Sequence, residues 1–214
     1  MTHIIAVLNQ KGGVGKTTLT SNIGEAFKRS GLSVLLVDSD PQGSLRDWNE
    51  ASGGEVLSVV GLDRETLAKD LNAIMGNYDI VLIDGAPQSG RLAAAAIKAA
   101  ELVLIPVTPS PYDVWACADL VEAIKARQEV TNEKPTARFV ISRARKNTRL
   151  SGELGEALSG YEIPTLQAGT VHREIYAQTA ADGLTVFHTK STHEATQEIE
   201  TIRNEVMEIL NNGA

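Results

Sequence analysis

The chain has 214 residues, 43% of them apolar and 22% charged, which is ordinary for one globular domain, residues 1–214, with a full core. Its net charge of −7 argues against tight nucleic-acid binding by the surface as a whole, and its single cysteine excludes an internal disulfide framework. We see no signal sequence and no apolar run near the ~18 residues that span a bilayer, so we expect a cytoplasmic protein.

Short apolar runs alternate with helical patterns along the chain. We predict strands, in chain order, at 4–8, 33–37, 80–83, 102–107 and 138–141. Helices are predicted at 17–29, 63–75, 90–100, 112–130, 150–158 and 192–210. Strands that are apolar on both faces are typical of a parallel sheet covered by helices on both sides. The predicted fold class is therefore α/β, with a doubly wound, mostly parallel sheet.

A glycine-rich segment between the first strand and the first helix has the position of a phosphate-binding loop. It reads Lys11-Gly12-Gly13-Val14-Gly15-Lys16-Thr17-Thr18. Glycines let backbone N–H groups turn toward phosphate oxygens, and the helix N-terminus favours the same anion. In such a loop Lys16 reaches the β- and γ-phosphates, and the Thr17 hydroxyl ligates Mg²⁺. Gln10 replaces the glycine that usually opens this pattern, and a second lysine, Lys11, follows it.

Two acidic residues follow predicted strands, where parallel strands share one crevice. Asp84 ends an apolar run in the Walker B arrangement and is expected to hold Mg²⁺ through a bound water. Asp40 is placed to orient the attacking water or to hold the metal shell. A turn or a helix cap is the structural alternative for either acid. Because no Asn-Lys-x-Asp guanine motif is present, we predict an ATPase with ATP/ADP and Mg²⁺ as cofactors.

Four segments together resemble the ParA family of partition ATPases, and most of all its small, ParF-type members. They are the phosphate loop, Val37-Asp38-Ser39-Asp40-Pro41-Gln42, Ile83-Asp84-Gly85-Ala86-Pro87 and Pro106-Val107-Thr108-Pro109-Ser110-Pro111. The resemblance runs from the first strand to the last helix.

The resemblance implies a nucleotide-sandwich homodimer in which Lys11 reaches the partner's phosphates. It also implies that Asp40 is the aspartate linked to hydrolysis. It implies that Pro106 lies near the nucleotide and the dimer face. It further implies slow ATP hydrolysis stimulated by a centromere-binding partner of the ParB or ParG type. The ATP dimer would bind DNA nonspecifically, and so associate with the nucleoid, and some members polymerise. The leading expectation is therefore ATP-dependent partition of a plasmid or chromosome.

Two other functions use the same fold. A positioning ATPase for a protein cargo, such as a carboxysome or a chemotaxis cluster, would share the site and differ in its partner. A metabolic ligase of the dethiobiotin-synthetase kind would share the fold, but its loop lacks the second lysine. The tail after Lys190 is acidic, with Arg203 its only basic residue, which disfavours a membrane-targeting helix. Because the chain begins at its first strand, we expect no N-terminal helix-turn-helix domain.

A basic stretch, residues 134–149, contains six basic residues and no acid. We hypothesise that it contacts DNA phosphates and that two-fold symmetry doubles the patch in a dimer. The residues proposed for this contact are Arg143, Arg145, Lys146 and Arg149. A solvated loop with local salt bridges is the alternative. Arg143 is also placed to lie over the nucleotide base, because it follows the carboxyl end of a strand.

Overall fold

A computed structural model describes residues 2–87, 90–131, 134–145, 150–189 and 194–212 of the chain. Its strands are β1 (His3–Val7), β2 (Val34–Asp38), β3 (Ser58–Gly61), β4 (Ile80–Asp84), β5 (Leu102–Val107) and β6 (Thr136–Ile141). Its helices are α1 (Lys16–Arg29), α2 (Ser44–Ala51), α3 (Leu67–Asn72), α4 (Gly90–Ala99), α5 (Pro111–Trp115), α6 (Ala118–Val130), α7 (Leu150–Ser159), α8 (Glu174–Ala181) and α9 (Glu194–Asn212). Short 3-10 turns cover Met75–Asn77 and Val186–His188.

The six strands form one sheet in the order β3-β2-β4-β1-β5-β6, and every neighbouring pair is parallel. The chain runs outward from β1 to β2 and β3 and then returns to β4, which lies between β2 and β1. Register pairs Val7 with Asp84 and Asp38 with Asp84, so the carboxyl ends of β1, β2 and β4 are level. Ligands of open α/β sheets bind in the crevice beyond such ends. The predicted doubly wound α/β fold is confirmed.

The sheet is buried on both faces, as its apolar strands predicted. Leu36 and Leu82 pack in the cluster that includes α1 and α9, whereas Val37 and Val81 pack in the cluster that includes α3, α4 and α6. All four side chains are fully buried. Each such burial stabilises the fold by roughly 1.5–3 kcal/mol. This core fixes the ends of the central strands, and with them the loops that follow.

Several elements differ from the prediction. The strand β3 was not predicted, because it has only four residues and begins with a polar one. It is also only partly buried, at the edge of the sheet. The helices α2 and α8, eight residues each, were also missed. The predicted helix 112–130 is two helices, α5 and α6, with a break at residues 116–117. No helix in the described ranges is both long and apolar enough to cross a bilayer.

Candidate functional site

The glycine-rich loop joins β1 to α1 and is shaped to receive an anion. Gly13 and Gly15 have φ of +77° and +94°, in the left-handed region that favours glycine. A Cβ at Gly15 would also lie 2.9 Å from the Ser142 hydroxyl, so both backbone and packing require glycine there. A Cβ at Gly12 or Gly13 would meet nothing within 4 Å, so the space beside the loop is open.

The N-terminus of α1 faces this open space. Leu19 donates the first helical hydrogen bond, to the Gly15 carbonyl, which leaves the N–H groups of residues 16–18 outside the ladder. Within the described structure no side chain caps this end, and no acidic residue occupies its first turn. Free N–H groups and the helix dipole together favour a bound anion. The loop and helix therefore fit a phosphate group.

Lys16 is a buried cation at the same point. The residue is only 8% exposed, and its Nζ donates a hydrogen bond to the Lys11 carbonyl over 2.9 Å. Burial lowers the pKa of Lys16, whereas the nearby carboxylates of Asp84 and Asp40 raise it in part. A buried ammonium is costly unless an anion neutralises it. The position of Lys16 thus fits a phosphate ligand.

Thr17 and Asp84 form the expected cation-binding pair. The Thr17 hydroxyl donates to Asp84 Oδ2 over 2.7 Å. Asp84 Oδ1 is buried and has no hydrogen-bond partner in the part of the chain that is described. Burial raises the pKa of Asp84 to about 7, although the hydrogen bond from Thr17 by itself lowers this pKa. An unsatisfied carboxylate oxygen beside a threonine hydroxyl is the donor set that Mg²⁺ prefers, so these residues fit a magnesium ion.

Asp40 lines the same crevice as Lys16 and Thr17, in a turn held by Asp38 and Arg46. The Asp40 N–H donates to Asp38 Oδ1 over 3.0 Å, and Arg46 Nη2 donates to the Asp40 carbonyl over 2.9 Å. Asp40 Oδ1 also accepts from the Gln42 N–H over 3.0 Å. The turn-forming alternative is therefore present as well, and the half-buried carboxylate still lines the crevice. The sequence did not predict the supporting roles of Asp38 and Arg46, although Asp38 directly follows the predicted strand 33–37.

A cavity of about 550 Å³ extends from the loop past the end of β6. Its volume suits a small organic ligand such as a mononucleotide. Its far wall was not predicted from the sequence and consists of Thr170, Val171, His172, Arg173 and Tyr176.

The helix α9 holds this far wall in place through Glu198. One Glu198 oxygen accepts from Arg173 Nη2 over 2.7 Å, and the other accepts from the Val171 N–H over 3.2 Å and the Tyr176 hydroxyl over 3.1 Å. Burial raises the pKa of Tyr176, so its phenol is a neutral donor. No sequence signal identified these residues, because they meet only through long-range folding.

The remaining predicted site residues differ in where they lie. Pro106 is in β5, where its carbonyl accepts from Asn9 Nδ2 over 2.8 Å. The Lys11 amine is paired with Asp113 of its own chain, and its role toward a partner stays a prediction. Arg143 Nη1 donates to the Gly13 carbonyl over 2.8 Å, which brings it to the nucleotide crevice. Val14, beside the glycines, is buried, and Thr18 lines the cavity.

The basic stretch is only partly described. Arg143 and Arg145 are both exposed. Lys146 and Arg149 lie outside the described residues. The position of Arg143 agrees with the alternative in which it serves the nucleotide, and DNA contact by this stretch stays a prediction.

Comparison with known proteins identifies the family. The family described as the CobQ/CobB/MinD/ParA nucleotide binding domain matches residues 5–186. The maintenance of carboxysome distribution protein A of Halothiobacillus neapolitanus is 30% identical over 208 residues, 95% of each chain. The sporulation initiation inhibitor protein Soj of Bacillus subtilis is 30% identical over 62% of this chain and 68% of its own.

The fold is shared with solved structures. Cobyrinic acid a,c-diamide synthase from Mycobacterium smegmatis, solved with bound ADP and magnesium, has a TM-score of 0.77 at 22% identity, covering 100% of this chain and 97% of that one. The resemblance drawn from the motifs is confirmed. The chain belongs to the CobQ/CobB/MinD/ParA family of nucleotide-binding domains, as a P-loop protein of the ParA type.

Proposed function

We propose that the protein is a Mg-ATP-dependent positioning ATPase. ATP binding closes a homodimer, and hydrolysis, stimulated by a partner protein, returns it to monomers. The observation that supports this most is the convergence of a buried ammonium, Lys16, and a carboxylate with one orphaned oxygen, Asp84, at the N-terminus of α1. Such a site is matched to a triphosphate with its magnesium.

Each residue has a role that follows from its position. The N–H groups of the loop and Lys16 bind the β- and γ-phosphates, and Thr17 and Asp84 hold the cation. When bound, Mg²⁺ supplies charge neutralisation at the phosphate oxygens. Asp40 accepts a hydrogen bond from the attacking water and so orients it toward the γ-phosphate. The far wall at 170–176 and Arg143 enclose the nucleoside. In a dimer the Lys11 amine adds a positive charge at the partner's phosphates.

The cargo that we favour is a protein assembly. The carboxysome distribution protein of Halothiobacillus neapolitanus matches 95% of the chain, whereas Soj matches 62% of it. The full-length relative therefore supports protein positioning more than DNA partition. We also propose that residues 1–214 act as one domain, in the cytoplasm.

Partition of a plasmid or chromosome is the second candidate. The basic stretch 134–149 supports it, because a cluster of basic residues without acids is suited to phosphate backbones. In that case a ParB- or ParG-like partner would stimulate hydrolysis, and the ATP dimer would associate with the nucleoid or polymerise. A dethiobiotin-synthetase-like ligase is the least favoured candidate, because the loop has the second lysine, Lys11. Turnover with a small carboxylated amine and no partner protein would favour it.

Sedimentation velocity tests the proposal directly. Mg-ATP should convert monomers to dimers, and Mg-ADP should not. Nonspecific DNA should co-sediment with the ATP dimer if the protein partitions a plasmid or chromosome. It should stay separate if the protein positions a protein cargo without contacting DNA. A protein that remains monomeric under saturating Mg-ATP would contradict the proposal.

A further inference from the structure

Asp113 is a buried acid next to the phosphate loop that neither strand-end reasoning nor the motifs identified. It lies in α5, just after β5, with 4% of its side chain exposed. One carboxylate oxygen pairs with the Lys11 amine, and the other accepts a hydrogen bond from the Thr108 hydroxyl. The Lys11 side chain is 42% exposed. Its amine is therefore paired with a buried carboxylate, while the rest of the side chain is accessible to solvent.

Contacts other than the ion pair also hold α5 in place. The Tyr161 hydroxyl donates to the Val114 carbonyl over 2.9 Å, and Cys117 Sγ donates to the Asp113 carbonyl over 3.2 Å. Val114 is also buried in the core. Because these contacts do not involve Lys11, the helix has anchors besides the pair between Lys11 and Asp113.

The pair opposes the reach of Lys11 toward another subunit. Lys11 and Asp113 line a hollow of about 420 Å³ on the rim of the loop, together with Thr108 and Pro109. To bind a phosphate on a facing subunit, the amine has to leave Asp113. The carboxylate then stays buried without its cation, which is costly. Dimerisation therefore has to overcome the loss of this pair.

We propose that Asp113 is a positioning residue that holds Lys11 in the free monomer and so sets the ATP concentration at which the dimer forms. The dimer part of this inference rests on the proposed function. The monomer part does not, since it concerns a contact within one chain. The two parts can be tested separately.

The contact in the monomer is tested by acylation of lysines in nucleotide-free protein, followed by mass spectrometry. Lys11 should react more slowly than the exposed Lys98, because its amine is held by a buried carboxylate. The Asp113→Asn change should accelerate Lys11 acylation roughly fivefold, since it removes the charge but keeps the shape. Asp119→Asn, an exposed position on α6, is the matched control and should leave the rate unchanged. Equal rates for Lys11 and Lys98 in the wild-type protein would overturn the inference without any variant.

The threshold is tested by sedimentation during an ATP titration. Asp113→Asn should form dimers at roughly tenfold lower ATP than the wild type, and Asp119→Asn should behave as the wild type. In a Lys11→Ala background, Asp113→Asn should have no further effect, because Asp113 acts through Lys11. ATP-dependent dimers whose threshold is unchanged or raised by Asp113→Asn would overturn the inference. If acylation responds as expected but no protein forms dimers, the proposed function fails and the holding contact stands.

Discussion

The hydroxyl of Thr17 donates a hydrogen bond to the carboxylate of Asp84 over 2.7 Å, although 67 positions separate the two residues. Thr17 is in the first turn of α1, and Asp84 is the last residue of β4. The parallel pairing of β1 with β4 makes this contact, because it sets Val7 level with Asp84. A cation bound between the two side chains would therefore join both halves of the sheet.

Replacement of Lys16 by Ala should weaken ATP binding by at least roughly a hundredfold, since the phosphates lose their buried charged donor. Calorimetric titration with Mg-ATP measures this directly. Thermal unfolding without nucleotide should show that the variant still folds, so that a loss of affinity reports on the site. Lys98→Ala, at an exposed position of α4, should bind ATP as the wild type does. An unchanged affinity in Lys16→Ala would remove the loop from the binding site.

Replacement of Asp40 by Ala should slow hydrolysis by roughly a hundredfold, because the attacking water loses the group that orients it. ATP binding should persist, so the variant should accumulate as a dimer under saturating Mg-ATP. Phosphate release and sedimentation measure the two effects. Asp119→Ala serves as the control. A monomeric Asp40→Ala protein under these conditions would argue against a dimer switch.

Much of this site follows from local sequence. The glycines, Lys16 and Thr17 lie in one contiguous segment, and Asp84 ends a strand whose burial on both faces is visible in its apolar run. Asp113 gives no such signal, because it lies in the short helix α5 and its partner Lys11 lies 102 positions away. The far wall at Thr170 and Tyr176 is likewise assembled by contacts with α9. Such contacts depend on the tertiary fold and have no local pattern.

The thiol of Cys117 should be inert in the folded protein. Cys117 is fully buried, and burial raises the pKa of its thiol to about 11. Reaction with a disulfide reagent at pH 8 should therefore be slow, with roughly one thiol in a thousand ionised, and should become fast in urea. The folded state holds this proton more tightly than the unfolded state, so stability should fall as pH rises from about 9 to about 11. Equal thiol reactivity in folded and unfolded protein would contradict this burial.

Contact between the basic stretch and DNA can be tested directly. If the stretch contacts DNA, replacement of Arg145 and Lys146 by Glu should weaken binding of the ATP dimer to nonspecific DNA. The slope of log affinity against log salt concentration should also become shallower, by about 1 for each lost phosphate contact. Co-sedimentation at several salt concentrations measures both. Lys98→Glu controls for the change in net charge. Binding that survives the reversal, or that salt does not weaken, would exclude this patch.

The proposed dimer requires that two lysines, Lys16 of one subunit and Lys11 of the other, meet at one triphosphate. A crystal structure of the Asp40→Ala variant with Mg-ATP tests it most directly. We predict two copies face to face, with the Lys11 amine released from Asp113 and within hydrogen-bond distance of the partner's phosphate oxygens. A single subunit with bound nucleotide, whose Lys11 remains on Asp113, would contradict it.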